Sequence, residues 1–300
     1  GLTGVTDRPI EANKFLYFPR GDTTAIRVHD GTNWDDQAIA TGQGCATWLA
    51  VGYSPADKKP QIWRFNNVTV SGGTTTGLAR SVSRADIVAA YNTNLAFRDS
   101  MLTARSTNIN SIYVHTNNIL WVGGVDHIGY VENDKYTETD YGVRKTPATD
   151  NGTAFAGWKA FLYFNWLWST ERLFAGTLDD VGLGFRGPAL PDGREGVDAA
   201  YAPYLRWMFV AKDGGTDGAS AVTMYDGLNW HEFARGPKSG KRIRDVAIQV
   251  VSGARNRLWY DCGGESYWIS LPKNKANPLY DASITYMHEA VVESTEIDMG

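Results

Sequence analysis

This chain has little of what builds helices, crosses membranes or ties small folds together. Only two of its 300 residues are cysteine, Cys45 and Cys262. They have no zinc-ligand spacing and cannot form a disulfide scaffold. Two free, buried thiols are expected, with a single bridge between them as the alternative. No apolar run is long enough to cross a bilayer core of roughly 30 Å. The most apolar stretch, Phe155 to Trp168, is broken by Lys159 and Asn165. The start, Gly1-Leu2-Thr3-Gly4, has neither the basic region nor the apolar core of a secretion signal. A soluble protein or a component of a larger assembly is expected, with no membrane partner. Basic charge is also short, at 29 Lys plus Arg against 33 Asp plus Glu, a formal net charge of −4. That removes the footprint of a non-specific nucleic-acid binder, so no nucleic-acid partner is expected. The nearest basic cluster is Lys238, Lys241, Arg242 and Arg244, set among Gly236, Pro237 and Gly240, and it reads as a solvated loop.

Enzyme signatures are missing too. There is no Gly-x-Ser-x-Gly elbow, and Ser239-Gly240-Lys241 has the wrong order for a phosphate loop. The five histidines, His29, His115, His127, His231 and His288, form no His-x-x-x-His pair and read as hydrogen-bonded strand residues. The stretches 30–36 and 133–140 are oxygen-rich but lack the alternating ligands and distal Glu of a calcium loop. The carboxylates Asp35, Asp36, Asp126, Glu132, Asp134, Asp179 and Asp180 sit near turns and read as solvated caps. No catalytic residue, no metal and no cofactor is expected. Helical signals are scarce, the best being Arg84 to Tyr91 behind Ser83 as a cap.

What is abundant is Gly (32 residues), Tyr (15) and Trp (11). Aromatic and Gly enrichment favours many short strands joined by turns. One segment occurs twice: Ile26-Arg27-Val28-His29-Asp30-Gly31-Thr32-Asn33-Trp34 and Val222-Thr223-Met224-Tyr225-Asp226-Gly227-Leu228-Asn229-Trp230. Asp-Gly supplies residues that tolerate φ > 0, as a two-residue hairpin turn needs, and the tryptophan opens the returning strand. Asp30, Gly31, Trp34, Asp226, Gly227 and Trp230 are therefore structural turn residues. Strand pairs followed by turns recur near 30, 67, 133, 179, 226 and 263, about one unit per 45 to 50 residues, the period of propeller blades. The expected fold is all-β, a β-propeller of about six blades with three to four antiparallel strands each. Five or seven blades and a pair of β-sandwiches are the alternatives, and no low-complexity linker divides the chain. Most of the tryptophans should pack between blades. The propeller is expected over 1–280. The segment 281–300 either closes the ring as a C-terminal strand or leads to a further domain.

The Asp-Gly-x-Asn-Trp element resembles the hairpin turns of kelch-like propellers. It departs from the sialidase Asp-box, because Gly directly follows Asp and no Ser precedes it. The segments Leu120 to Asp134 and Val291 to Gly300 resemble a class of propeller found in tailed-phage virion proteins. The resemblance implies a non-enzymatic structural or interaction protein of the viral particle, active in assembly or host-surface attachment. Its partners would be other virion proteins, or a cell-surface glycan. The polar loops 187–196 and 213–218, with Gly187, Asp192, Arg194, Asp213 and Asp217, are the candidate interaction loops. A carbohydrate-binding propeller lectin and a propeller glycosidase are the competing functions, and an extracellular location competes with the virion.

Overall fold

The computed structural model describes residues 8–37, 45–53, 58–65, 69–70, 74–75, 78–80, 109–132, 135–139, 151–166, 169–174, 177–182, 197–204, 206–212, 220–243 and 245–272. Every regular element among them is a β-strand, as expected. The helix expected at 84–91 and the segment 281–300 lie outside the described residues. Among the described residues no helix is long and apolar enough to cross a membrane.

Among the described residues six antiparallel sheets of three or four strands follow one another along the chain, beside two two-stranded pairs. The first holds β1 (Ile10–Ala12), β2 (Phe15–Phe18), β4 (Arg27–His29) and β5 (Trp34–Asp36), while β3 (Gly21–Ala25) pairs with β6 (Cys45–Ala46). The second holds β7 (Trp48–Tyr53), β8 (Pro60–Phe65) and β11 (Leu78–Arg80), with the small hairpin β9 (Thr69–Val70) and β10 (Thr74–Thr75) between the last two. The third runs β12 (Ile109–Val114), β13 (Leu120–Gly124), β14 (Ile128–Glu132) and β15 (Lys135–Thr139). The fourth runs β16 (Phe155–Trp158), β17 (Phe161–Trp166), β18 (Ser169–Phe174) and β19 (Thr177–Gly182). The fifth runs β20 (Val197–Tyr204), β21 (Trp207–Lys212), β22 (Ala221–Tyr225) and β23 (Trp230–Arg235). The sixth runs β24 (Val246–Gln249), β25 (Arg257–Cys262) and β26 (Glu265–Ser270).

The chain divides into two compact units, 1–181 and 182–300. In the first, successive sheets pack face to face. Tyr17, Val28, Leu49 and Ile62 join the first sheet to the second. Trp63, Phe65, Ile112 and Val122 join the second to the third. Trp121, Ile128, Phe155 and Phe164 join the third to the fourth. The leading strands β1, β7, β12 and β16 lie side by side in that order. In the second unit Phe209, Val222, Leu258 and Tyr260 join the fifth sheet to the sixth, and β20 lies beside β24. Each side chain of this size stabilises the fold by roughly 1.5–3 kcal/mol when fully buried.

Burial explains the sequence pattern. Strands β13 and β21 are buried at every position and read as apolar runs, β21 up to its last residue, Lys212. Strand β25 instead alternates, with Leu258, Tyr260 and Cys262 in the core and Arg257, Trp259 and Asp261 on the other face. The expected packing of tryptophan holds for Trp63, Trp121, Trp158, Trp166 and Trp207, which are buried, and fails for Trp34 and Trp268, which are exposed.

The turns need two corrections. The Asp-Gly reversals are four-residue loops, not two-residue turns, because His29 pairs with Trp34 and Tyr225 pairs with Trp230. Only the glycine takes positive φ there, at 99° for Gly31 and 107° for Gly227, while the Asp carboxylate caps the loop. Asp179 and Asp180 lie within β19, not in a turn. That strand is the sheet edge, where charged residues are tolerated. The turns expected at 66–67 and 133–134 lie outside the described residues.

Candidate functional site

Among the described residues a buried polar cluster lies where the third and fourth sheets meet, at one end of β12 and β16. It begins with two glycines. A Cβ on Gly123 would overlap the carbonyl of Gly152, so only glycine permits this backbone approach. Gly152 also has φ +60°, and its N–H donates to Asn165 O at 2.8 Å. Side chains then lock the segment that leads into β16. Ser111 Oγ donates to Gly152 O at 2.6 Å, and Asn110 Nδ2 donates to Asn151 O at 2.7 Å. Asn151 Nδ2 donates to Val125 O at 2.9 Å. Asn165 accepts from Ala154 N–H at 2.9 Å and donates to Thr153 Oγ1 at 2.9 Å. Asn151 and Asn165 are both fully buried, and these bonds offset the cost of removing their amides from water.

The β13–β14 reversal sits on this frame. Gly124 N–H donates to His127 O at 2.8 Å and closes it. The His127 imidazole lies against Gly124, where a Cβ would overlap the ring. Its Nδ1 meets Asp126 Oδ1 at 2.8 Å. The ring is buried, while the Asp126 side chain is 54% exposed. A carboxylate at Nδ1 sets the tautomer and orientation of an imidazole, leaving Nε2 as an oriented acceptor or base. Among the described residues no group of three or more His, Cys, Asp or Glu side chains comes together to hold a metal ion.

A second histidine lies nearby on the same pair of sheets. Tyr113 Oη accepts from Gly157 N–H at 2.8 Å, and the His115 ring rests against Gly157. Burial pushes the Tyr113 hydroxyl up, partly opposed by the Gly157 bond, and burial pushes the His115 imidazole down, partly opposed by a bond to the Ala160 backbone. His115 and His127 therefore stand in reversals, not within strands as the sequence reading expected.

The residues expected to act as turns form two separate loops. Asp30 Oδ1 accepts from Thr32 N–H at 2.7 Å and Asn33 N–H at 2.6 Å. Those bonds, that of Asn33 first, hold its carboxyl below the usual range. Asp226 Oδ1 accepts from Leu228 N–H at 2.8 Å and Asn229 N–H at 2.7 Å, and its Oδ2 meets His231 Nε2 at 3.3 Å. Burial raises the Asp226 carboxyl, and the two N–H bonds and His231 together outweigh it. Trp34 packs on His29 at 4.2 Å and on Phe18 at 5.2 Å, and Trp230 packs on Tyr225 at 4.7 Å between ring centroids. The candidate interaction residues Gly187, Asp192, Arg194, Asp213 and Asp217 lie outside the described residues. Sequence reading missed Asn110, Ser111, Asn151 and Asn165, and it did not foresee the pairing of Asp126 with His127. The Gly123-Gly124 and Asn151-Gly152 dipeptides were the available signal.

No protein-family model matches this chain. No curated protein matches it either. Solved structures do. The extracellular domain of a protein described as a one component system from B. thetaiotaomicron aligns with TM-score 0.59 at 10% identity, over 88% of this chain and 33% of that one. The virginiamycin B lyase from Staphylococcus aureus aligns with TM-score 0.55 at 11% identity, over 87% of this chain and 78% of that one. The extracellular domain of a hybrid two component system from B. thetaiotaomicron aligns with TM-score 0.55 at 12% identity, over 87% of this chain and 32% of that one. The chain thus spans about a third of the length of the two extracellular domains. None of these three is a virion protein or a kelch protein by description. The expectation that the chain catalyses nothing is corrected here, because a lyase stands among the structures that share its fold. A fold that hosts both an enzyme and extracellular domains leaves function to the site. Taken with the sequential antiparallel sheets and the adjacent leading strands within each unit, these likenesses make the chain a β-propeller.

Proposed function

We propose that this chain is a recognition propeller that holds a partner against a preorganised loop end, in the assembly or host-surface attachment of a viral particle. The observation that carries recognition is the placement of Asp126. Its half-exposed carboxylate is fixed by His127 on a reversal that the Asn151 amide ties to the next sheet. Polar groups held by rigid elements and a second layer of bonds make binding sites that lose little entropy on engagement. The viral setting rests on the resemblance of 120–134 and 291–300 described above. Antibodies against this chain should label purified particles in electron micrographs, and Asp126→Ala should weaken its incorporation. A chain found only free of particles overturns the setting.

A second reading, catalysis, is favoured by the same Asp–His pair. A carboxylate-oriented imidazole is the pattern of a general base. Consumption of virginiamycin B or of model glycosides by the purified chain, abolished in His127→Gln, would establish it. Turnover unchanged in that variant would remove it.

A further inference from the structure

We propose that the face of the sixth sheet turned away from the fifth is a saccharide-binding platform, on which a pyranose ring stacks against the exposed part of the Trp268 indole that Arg257 does not cover. The strand register assembles this surface. Trp259 stands directly opposite Trp268, and Gln249 opposite Arg257, all on the face that turns away from Leu258, Tyr260 and Cys262. The Arg257 guanidinium lies over the Trp268 ring, 4.2 Å from its centroid. The Trp259 and Trp268 rings are 6.3 Å apart at 43°. Trp259 Nε1 donates to Gln249 Oε1 at 2.8 Å. Four side chains from three strands therefore brace one another, and Trp268 is held in place while 47% exposed. An aromatic plane fixed before binding loses little conformational entropy when it is covered.

The chemistry selects the occupant. A pyranose has an apolar C–H face and a rim of hydroxyls that both donate and accept. The platform offers the exposed Trp268 indole with the Arg257 guanidinium donors over it, and the hydroxyls of Ser266 and Ser270 on the same side of β26. Apolar planes with a few convergent polar groups are the general composition of small-ligand sites. A protein partner fits less well. Trp268 is the only large exposed hydrophobic side chain on this face among the described residues, with Val250 just beyond the end of β24. A stable protein interface covers about 1,000 Å² or more with a desolvated apolar centre. This site shares no residue with the Asp126 loop end and survives if the viral setting fails.

The full chain should be applied to an array of neutral and acidic oligosaccharides, and the best hit titrated by calorimetry. Binding should weaken at least about tenfold in Trp268→Ala, a loss within the range of one stacked aromatic. Trp268→Phe should keep most of the affinity, Arg257→Ala should lose part of it, and Trp34→Ala should leave it unchanged. Neutral and acidic hits distinguish hydroxyl from carboxylate recognition at Arg257. Three results overturn the proposal: a folded wild-type chain that binds no saccharide at millimolar concentration, binding that is equal in Trp268→Ala, or self-association that Trp268→Ala abolishes, which would assign the face to a second copy.

Discussion

Glycine does two different jobs in this chain, and substitution separates them. At Gly31, φ is +99° and a Cβ would meet nothing within 4 Å, so only backbone strain opposes a side chain. Gly31→Val should lower stability by about 1–3 kcal/mol, and Gly227→Val should do the same, read as a fall in Tm. At Gly123 the obstacle is the carbonyl of Gly152, which is backbone and cannot rotate away. Gly123→Ala should cost about 3 kcal/mol or more although the added group is smaller, because β13 and the segment leading into β16 must separate. A Gly123→Ala chain that melts with wild type would refute the close approach. The loop aspartates set a pH dependence. Bonds from Asn33 and Thr32 lower Asp30, and bonds from Asn229 and Leu228 lower Asp226 against its burial. Ionised carboxylate is thus favoured by the folded state. The stabilisation is complete above the unfolded pKa and drains as pH falls through the lower folded pKa, below roughly pH 4. Asp226→Asn keeps an acceptor oxygen and should flatten part of this acid limb. A Tm that falls as steeply in acid as wild type would rule the linkage out.

At the scale of the element, the hairpins show how far local signals reach. The Asp-Gly loops and the Gly263-Gly264 turn were legible because glycine marks left-handed backbone, here φ 61° and 84° for the latter pair. The strands β1 and β16 were not, because their hairpins reverse at Asn13-Lys14 and Lys159-Ala160, with φ of 50°, 67°, 48° and 67°. Nothing in Lys-Ala announces a turn, and the packing of Phe155 and Phe164 in the core imposes it. Such a turn carries removable strain. Ala160→Gly should raise stability by about 0.5–1 kcal/mol, which thermal melts can resolve. A lower Tm would mean the turn relaxes without help. The second sheet has its own device. Its edge strand β7 ends at Tyr53, whose N–H donates to Asn118 Oδ1 at 2.7 Å and whose carbonyl accepts from Asn118 Nδ2 at 2.7 Å. One side-chain amide from the third sheet replaces a rung of ladder and blunts that edge.

For the whole molecule, apolar runs were enough to locate the larger sheets among the described residues, since buried central strands such as Leu120–Gly124 read as such runs. The polar cluster was not legible in the same way. Asn110, Val125, Asn151 and Asn165 come from four stretches, and only the packing of the third sheet on the fourth brings them within hydrogen-bond reach. The thiols test the cores of the two units. Cys45 and Cys262 form no disulfide and are buried, one in each unit, and Cys262 Sγ lies 3.9 Å from Lys238 O and 3.8 Å from Lys241 O. A thiol reagent should therefore titrate two groups per chain only on unfolding, and reductant should leave Tm unchanged. A Tm lowered by reductant would reveal a bridge.

The lock on Gly152 also bears on chemical ageing. Asparagine followed by glycine is prone to deamidate, through attack of the next backbone nitrogen on the side-chain carbonyl carbon. In the fold that nitrogen is committed to Asn165 O, and the Asn151 amide is committed to Val125 O. The folded chain should therefore keep Asn151 intact through long storage, while the same dipeptide in the denatured chain converts to aspartate and isoaspartate. The isoaspartate content of a stored sample then records how long its third and fourth sheets have spent apart.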